Sequence, residues 1–349
     1  MNLSEAKKFL NENGYLLEDR FGGGKDRYGH KIKRLKLSDL DNEDLDNEDE
    51  PLPAGDVEPS DVEPIEAPTE NPKAQPVEIK NNAEKNNIAV GAFSVGNMEM
   101  VMGAVAAAEE LNMPIILQIA ECRLKNSPLE LMGPMMISAA KNSKVDIAVH
   151  LDHGLKIETV QKALELGFTS VMFDGSTLPL EENIRMVKQV REMADKYGAT
   201  VEAELGVVGG NEGDGAAHEI QCTNPDDAKL FCDETGVDAL AVAIGNAHGN
   251  YPALPSLRYD VLDDINKIVE TPLVLHGGTG ISDEMFQQTI MLGVRKINIA
   301  TASFDNLAKY ALEYCKSIEK ANYFELSRAE VIGVYENVKR HIKVFSFME

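Results

Sequence analysis

Positive charge is what this chain has least of relative to its opposite. Thirty-four Lys and Arg stand against 58 Asp and Glu, a formal net charge of −24 over 349 residues. A nucleic-acid partner requires a basic surface, so this balance argues against one. It argues equally against an anionic membrane surface. Cysteine is sparse: Cys122, Cys222, Cys232 and Cys315 are scattered without a C-x-x-C pair. That excludes a disulfide framework and a cysteine-type zinc site, and points to a reduced, cytoplasmic protein. No apolar run approaches the ~20 residues of a membrane span. The opening MNLSEAKKFL has no apolar core, so no secretory signal is expected there.

The first 85 residues are a different kind of chain from the rest. Residues 4–20 suit a short amphipathic helix with Ser4 as N-cap, stopped at Gly22-Gly23-Gly24. Six basic residues follow between Lys25 and Lys36. The glycine triplet is not a phosphate loop, because no strand precedes it and no G-K-[ST] follows. We divide this part into a helical, basic head (1–37) and an acidic linker (38–85). From Asp39 to Pro76 the linker is dominated by Asp, Glu, Pro and Asn and lacks aromatics. It cannot bury enough apolar surface to offset its ordering entropy and is expected to be disordered.

From Ile88 the composition changes. Apolar runs at 88–93, 114–119, 146–150, 169–173, 200–204, 238–243, 272–276 and 295–299 alternate with amphipathic stretches of helical period. Eight strand-helix units in residues 86–349 predict an α/β fold, a (β/α)8 TIM barrel carrying a mostly disordered N-terminal extension. A doubly wound sheet is the alternative, but its Gly-rich first turn is absent. A last helix, 326–343, has an apolar stripe suited to the barrel or to a neighbouring subunit, so a homo-oligomer, dimer or tetramer, is expected.

In such a barrel the chemistry lies at the C-terminal ends of the strands. Of seven histidines, four fall at predicted strand exits: His150, His153, His248 and His276. His153, His248 and His276 come from different strands, and each is followed by Gly. Three neutral imidazoles with an open fourth position make a catalytic zinc site. His150 shares a strand face with Asp152 but lies deeper, and is read as a supporting residue that orients a ligand.

Five motifs occur in order: His150-Leu-Asp152-His153-Gly154, Val201-Glu202-Ala-Glu204-Leu-Gly206, Gly245-Asn-Ala-His248-Gly249, Leu275-His276-Gly-Gly-Thr279-Gly280 and Lys296-Ile-Asn298-Ile-Ala300-Thr301. Together they resemble the class II, zinc-dependent fructose-bisphosphate and tagatose-bisphosphate aldolases, over about residues 86–345. The resemblance implies reversible aldol cleavage of a phosphorylated ketose to dihydroxyacetone phosphate and an aldehyde. It implies zinc on His153, His248 and His276, with Asp174 and Glu204 near an alternative metal position. It implies proton transfer by Asp152 and by Glu212, in the glycine-flanked loop 209–213. Backbone N–H groups of Gly277, Gly278, Thr279, Asn298, Ala300 and Thr301 suit a phosphate. Carbonyls near Gly249 and Gly277 are the implied holders of a monovalent cation and part of the substrate site.

The chain departs from the family's pattern in four places. Pro252 stands where Lys is usual after His248-Gly249-Asn250-Tyr251, with Arg258 as a candidate replacement. Ser94 replaces the usual Asn, and Ala120 a Ser that often holds phosphate. The helix that usually covers the barrel floor is shortened to about 76–86. These departures leave a second reading open, a non-catalytic barrel that binds a partner through its N-terminal extension. A metal hydrolase on the same barrel is a third.

Overall fold

The computed structural model of the protein describes residues 83–211, 217–218, 220–251 and 255–348. The expected head helix, the basic stretch and nearly all of the acidic linker lie outside the described residues, as do Glu212 and Pro252. Residues 83–86 form a helical turn, with Ala83 buried.

The strands are β1 (Val90–Ser94), β2 (Ile115–Ala120), β3 (Ile147–Gly154), β4 (Ser170–Phe173), β5 (Thr200–Leu205), β6 (Gly210–Asn211), β7 (Ala217–His218), β8 (Ala239–Val242), β9 (Leu273–Leu275) and β10 (Val294–Ile299). Eight of them close a parallel barrel in the order β1-β10-β9-β8-β5-β4-β3-β2. The expected (β/α)8 fold is the one observed. β6 and β7 form a small antiparallel hairpin inserted after β5. That hairpin was not predicted, because two-residue strands leave no periodicity to read.

Barrel strands are covered on both faces, which is why they read as nearly continuous apolar runs. Five of the six residues of β2 and all eight of β3 are buried. The described helices are α1 (Met98–Leu111), α2 (Leu129–Asn142), α3 (Ile157–Leu166), α4 (Leu180–Asp195), α5 (Pro225–Thr235), α6 (Tyr259–Ile268), α7 (Asp283–Met291), α8 (Thr301–Ser317) and α9 (Tyr323–Phe345). Their ends follow local chemistry. Asn97 caps α1 by accepting the Met100 N–H, and Asn224 caps α5 ahead of Pro225.

The apolar stripe of the last helix packs on its own barrel. Val334, Val338, Ile342 and Phe345 are all buried, and the Phe345 carbonyl accepts the Ala89 N–H at the start of β1. Burying each such side chain contributes roughly 1.5–3 kcal/mol. No helix among the described residues is long and apolar enough to cross a membrane. The four cysteines are free thiols.

Candidate metal centre and substrate cavity

β3 delivers the first part of the site. Its alternation points His150 and Asp152 into the barrel while Ile147, Val149 and Leu151 join the core between strands and helices. Strict alternation would send His153 outward with Leu151. It does not, because the pairing with β4 shifts register between Leu151 and Gly154, and His153 takes φ +43°. A bulge with a left-handed non-glycine residue re-aims the ring towards the rim.

The loop after β8 carries His248. Gly209 accepts the His248 N–H at 2.7 Å, so the segment leading into the hairpin braces this loop. Asn246, wholly buried, accepts from the Ile244 N–H and donates to the His276 carbonyl at 3.0 Å, tying the β8 loop to the β9 loop. Tyr251 makes a second tie: its hydroxyl accepts the Ala247 N–H and donates to the Gly277 carbonyl. Gly277 sits at φ +64°, and a Cβ there would stand 2.2 Å from the Ala247 carbonyl oxygen. Only glycine lets the two loops approach this closely.

The three rings meet. Ring centroids are 4.7 Å apart for His153 and His276, 4.9 Å for His153 and His248, and 5.9 Å for His248 and His276. One ring nitrogen from each falls within 4.8 Å of the others. A second set, His153, Asp174 and Glu204, meets the same limit, and so does His150, Asp152 and Glu202 deeper in the barrel.

Each of two histidines has one nitrogen on a carboxylate and the other facing the centre, where His276 Nδ1 also lies 3.3 Å from Glu204 Oε2. His153 pairs through Nδ1 with Asp174 Oδ2 at 2.7 Å, and His276 through Nε2 with Glu202 Oε1 at 2.9 Å. Burial opposes a charge on either ring, but neighbouring carboxylates override it. Asp152 and Asp174 raise His153 well above its usual range, and Glu202 and Glu204 raise His276 to about 9. Burial likewise opposes the charges of Asp174 and Glu202. Their carboxyls are nonetheless held below the usual range, Asp174 by His153 and Glu202 by Lys296 and His276.

His150 is buried on the same face, in the deeper group with Asp152 and Glu202. Its Nδ1 hydrogen-bonds Ser170 Oγ at 2.8 Å, and its Nε2 has no hydrogen-bond partner. Two residues of strand place its backbone roughly 6.5 Å below Asp152. Burial pushes its ring down to about 3. The carboxylates that hydrogen-bond His153 and His276 are Asp174 and Glu202.

Asp152 is held from both sides. Gln118 Nε2 donates to Oδ2 at 2.9 Å and Asn298 Nδ2 to Oδ1 at 3.0 Å. Gln118 Nε2 also reaches Ser94 Oγ, which draws that departure into the same network. Ala120 is buried beside Asp152 in the β2–β3 register. Gly249, Gly277, Gly278, Thr279, Asn298, Ala300 and Thr301 line one cavity of about 260 Å³ with Asp152, His153 and His248. Thr279 Oγ1 accepts the Ala302 N–H and so fixes the β9 loop to the first turn of α8. Asp174, Glu204, His153 and His248 share a neighbouring cavity of about 460 Å³. Arg258 lines neither; its guanidinium is paired with Asp260.

Sequence reasoning missed Gln118, Asn246 and Lys296 as parts of the site. Gln118 and Lys296 each interrupt an apolar strand run, and that interruption was the available signal.

An eight-stranded α/β barrel with an imidazole cluster and an anchored carboxylate on its C-terminal rim defines a class: a (β/α)8 barrel whose rim residues could hold a metal ion. The family described as Fructose-bisphosphate aldolase class-II matches residues 75–348, and the chain belongs to this family of lyases. The YdjI aldolase of Escherichia coli K12 is similar at 36% identity and a TM-score of 0.69, over 78% of this chain and 97% of that one. A candidate fructose-1,6-biphosphate aldolase of Coccidioides immitis is 28% identical with a TM-score of 0.72, over 78% and 96%. The fructose-bisphosphate aldolase of Campylobacter jejuni, 22% identical with a TM-score of 0.65 over 78% and 94%, shares the fold.

Proposed function

We propose that the chain is a zinc-dependent aldolase. In this reading it reversibly cleaves a ketose phosphate or bisphosphate into dihydroxyacetone phosphate and an aldehyde. The observation that carries the reading is the convergence of His153, His248 and His276 beside the anchored carboxylate of Asp152.

The donor set fits zinc. Two nitrogens bound at ~2.0–2.1 Å to a tetrahedral ion lie roughly 3.3 Å apart. His276 Nδ1 and His153 Nε2 are 3.1 Å apart. The ligands in this reading are His153, His248 and His276, with Asp174 and Glu204 offering His153 an alternative position. When bound, zinc supplies Lewis acidity towards the substrate's carbonyl and hydroxyl oxygens.

The chain's own residues do the rest. Asp152 takes a proton from the hydroxyl that becomes the aldehyde, and returns it in the reverse direction. Gln118 and Asn298 occupy one lone pair on each of its oxygens, which fixes the plane of the carboxylate while leaving lone pairs for the substrate. Glu212 exchanges the proton at the ene-diolate carbon; this role rests on the resemblance of loop 209–213. The hairpin pair Asn211 with Ala217 flanks Glu212 in the sequence. The phosphate sits against Gly277, Gly278, Thr279, Asn298, Ala300 and Thr301, where the N-terminus of α8 favours an anion. The Gly277 carbonyl keeps one lone pair beside its bond from Tyr251, which with the Gly249 region suits a monovalent cation.

In this reading the setting is cytoplasmic, in keeping with the free thiols. A homo-oligomer is supported by Leu312, Tyr323, Phe324 and Ile332, which leave apolar surface exposed on α8 and α9. The reading is tested by incubating the full chain with a panel of ketose mono- and bisphosphates that includes the fructose and tagatose epimers. Triose phosphate and aldehyde release from one of them supports it. A panel that yields neither overturns it, and inorganic phosphate without aldehyde indicates a hydrolase instead.

A further inference from the structure

Beneath the three histidines lies a buried ion pair that the proposed chemistry does not use. Lys296 stands on β10 two residues before Asn298, so both side chains enter the barrel. Its Nζ lies 3.0 Å from Glu202 Oε1 and 2.8 Å from Oε2. Oε1 is also 2.9 Å from His276 Nε2. Glu202 is 3% exposed, Lys296 8% and His276 0%. We propose that Lys296 is a positioning residue for the metal centre, acting through Glu202 to choose which nitrogen of His276 faces the ion. The proposal rests on the reading of His276 as a ligand.

An ammonium group only donates, so both Glu202 oxygens must accept from it. Oε1 therefore accepts from His276 Nε2–H as well. Nε2 then keeps its proton, and Nδ1, which also lies 3.3 Å from Glu204 Oε2, is the nitrogen that offers a lone pair once the ring is neutral. That is the nitrogen facing His153 Nε2 at 3.1 Å. Without Lys296 the carboxyl is free to rotate or to donate an O–H to Nε2, which would put the proton on the ligating side. The partner of a ligand's second nitrogen typically changes metal affinity roughly 10–100-fold.

Below the pair, a cavity of about 600 Å³ lined by Lys296, Glu202, Ser170 and Thr200 lies at the barrel floor. Removal of the ammonium thus leaves Glu202 beside a space that water can enter, so a Lys296→Met chain is expected to fold. His150 is the other group facing Glu202, with Nε2 at 3.8 Å from Oε2. That separation is beyond hydrogen-bond range, so it does not replace the lysine.

The test is a zinc affinity measured on the full chain by competition with a chromogenic chelator, alongside the visible spectrum of the Co²⁺-loaded protein. Lys296→Met should bind zinc roughly 10–100-fold more weakly and shift the Co²⁺ bands. Lys296→Arg, which keeps two donors for Glu202, should restore most of both. Glu202→Gln offers His276 an acceptor without a charge, so adding Lys296→Met to it should cost little more. Thermal unfolding of the metal-free variants separates a folding defect from a lost centre. Zinc affinity that falls while the metal-free Tm holds supports the proposal. An unchanged affinity in Lys296→Met, losses that multiply in the double variant, or affinity that falls only in step with Tm overturns it. A wild-type chain that takes up no divalent ion defeats the underlying reading instead.

Discussion

His276 Nδ1 lies 3.1 Å from His153 Nε2, although the two residues are 123 positions apart in the chain. Each ring is turned by a carboxylate behind it, Asp174 for His153 and Glu202 for His276. In the metal-free chain a ring proton can bridge the two nitrogens, and a bound cation would take that proton's place.

Replacing His153, His248 or His276 by alanine should remove bound zinc and lower cleavage by roughly 10³-fold or more, since a Lewis acid contributes several kcal/mol to such a reaction. Metal analysis of the purified variants, read beside a coupled assay for triose phosphate, checks this. A variant that loses its zinc and keeps its rate would exclude that histidine from the mechanism.

Asp152→Asn should behave differently. The amide keeps the contact pattern around Gln118 and Asn298 in size, so zinc should stay, while kcat falls roughly 10²–10⁴-fold with the loss of a proton acceptor. Equal loss of zinc and rate would make Asp152 part of the metal site.

Zinc uptake should depend on pH in a defined direction. Burial and the Glu202 and Glu204 carboxylates leave His276 of the metal-free chain at about 9, so at neutral pH a proton must leave as zinc enters. Affinity should therefore climb as pH rises towards about 9, and zinc addition at pH 7.5 in weak buffer should release acid. The same raised value stabilises the metal-free fold fully below the unfolded value of ~6.5, and that contribution is lost as pH rises through about 9. A calorimetric titration in buffers of different ionisation enthalpy counts the protons.

Two buried histidines away from the rim should make the fold acid-sensitive. Burial lowers His341 to about 4 and His150 to about 3. Both depart downward from the unfolded ~6.5, so stability is complete above ~6.5 and is lost as pH falls towards 4, by up to about 3 kcal/mol for His341. His341 is ringed by Phe93, Phe286 and Phe345. His341→Leu should flatten the decline of Tm between pH 6.5 and 4, and an unaltered slope would contradict the assignment.

Gly277→Ala should lower Tm and weaken binding of phosphorylated ligands together. The new methyl would meet the Ala247 carbonyl at 2.2 Å in a backbone with φ +64°, strain on the order of 1–3 kcal/mol. Thermal shift with and without dihydroxyacetone phosphate reads both effects.

The barrel was legible because apolar runs of strand length alternate with helical stretches, and that periodicity survives tertiary packing. The histidine cluster was legible because only four of seven histidines fall at strand exits, three of them before glycine. That His150 lies deeper than Asp152 follows from the strand rise, but its partner does not: the structure pairs it with Ser170, while Asp174 and Glu202 hydrogen-bond His153 and His276. Nor does alternation foresee the bulge that turns His153 inward. Gln118 and Lys296 were visible as polar interruptions of β2 and β10, yet nothing local names their partners, which lie 34 and 94 residues away in Asp152 and Glu202.

The most direct test of metal-dependent aldol cleavage is one protein sample carried through three states. The purified chain is assayed for triose phosphate release from its best ketose phosphate, stripped with a chelator and assayed again, then reloaded with zinc. The account predicts activity, its loss on stripping, and its return in proportion to zinc bound. Full activity in the stripped protein, with metal analysis showing none bound, would contradict it.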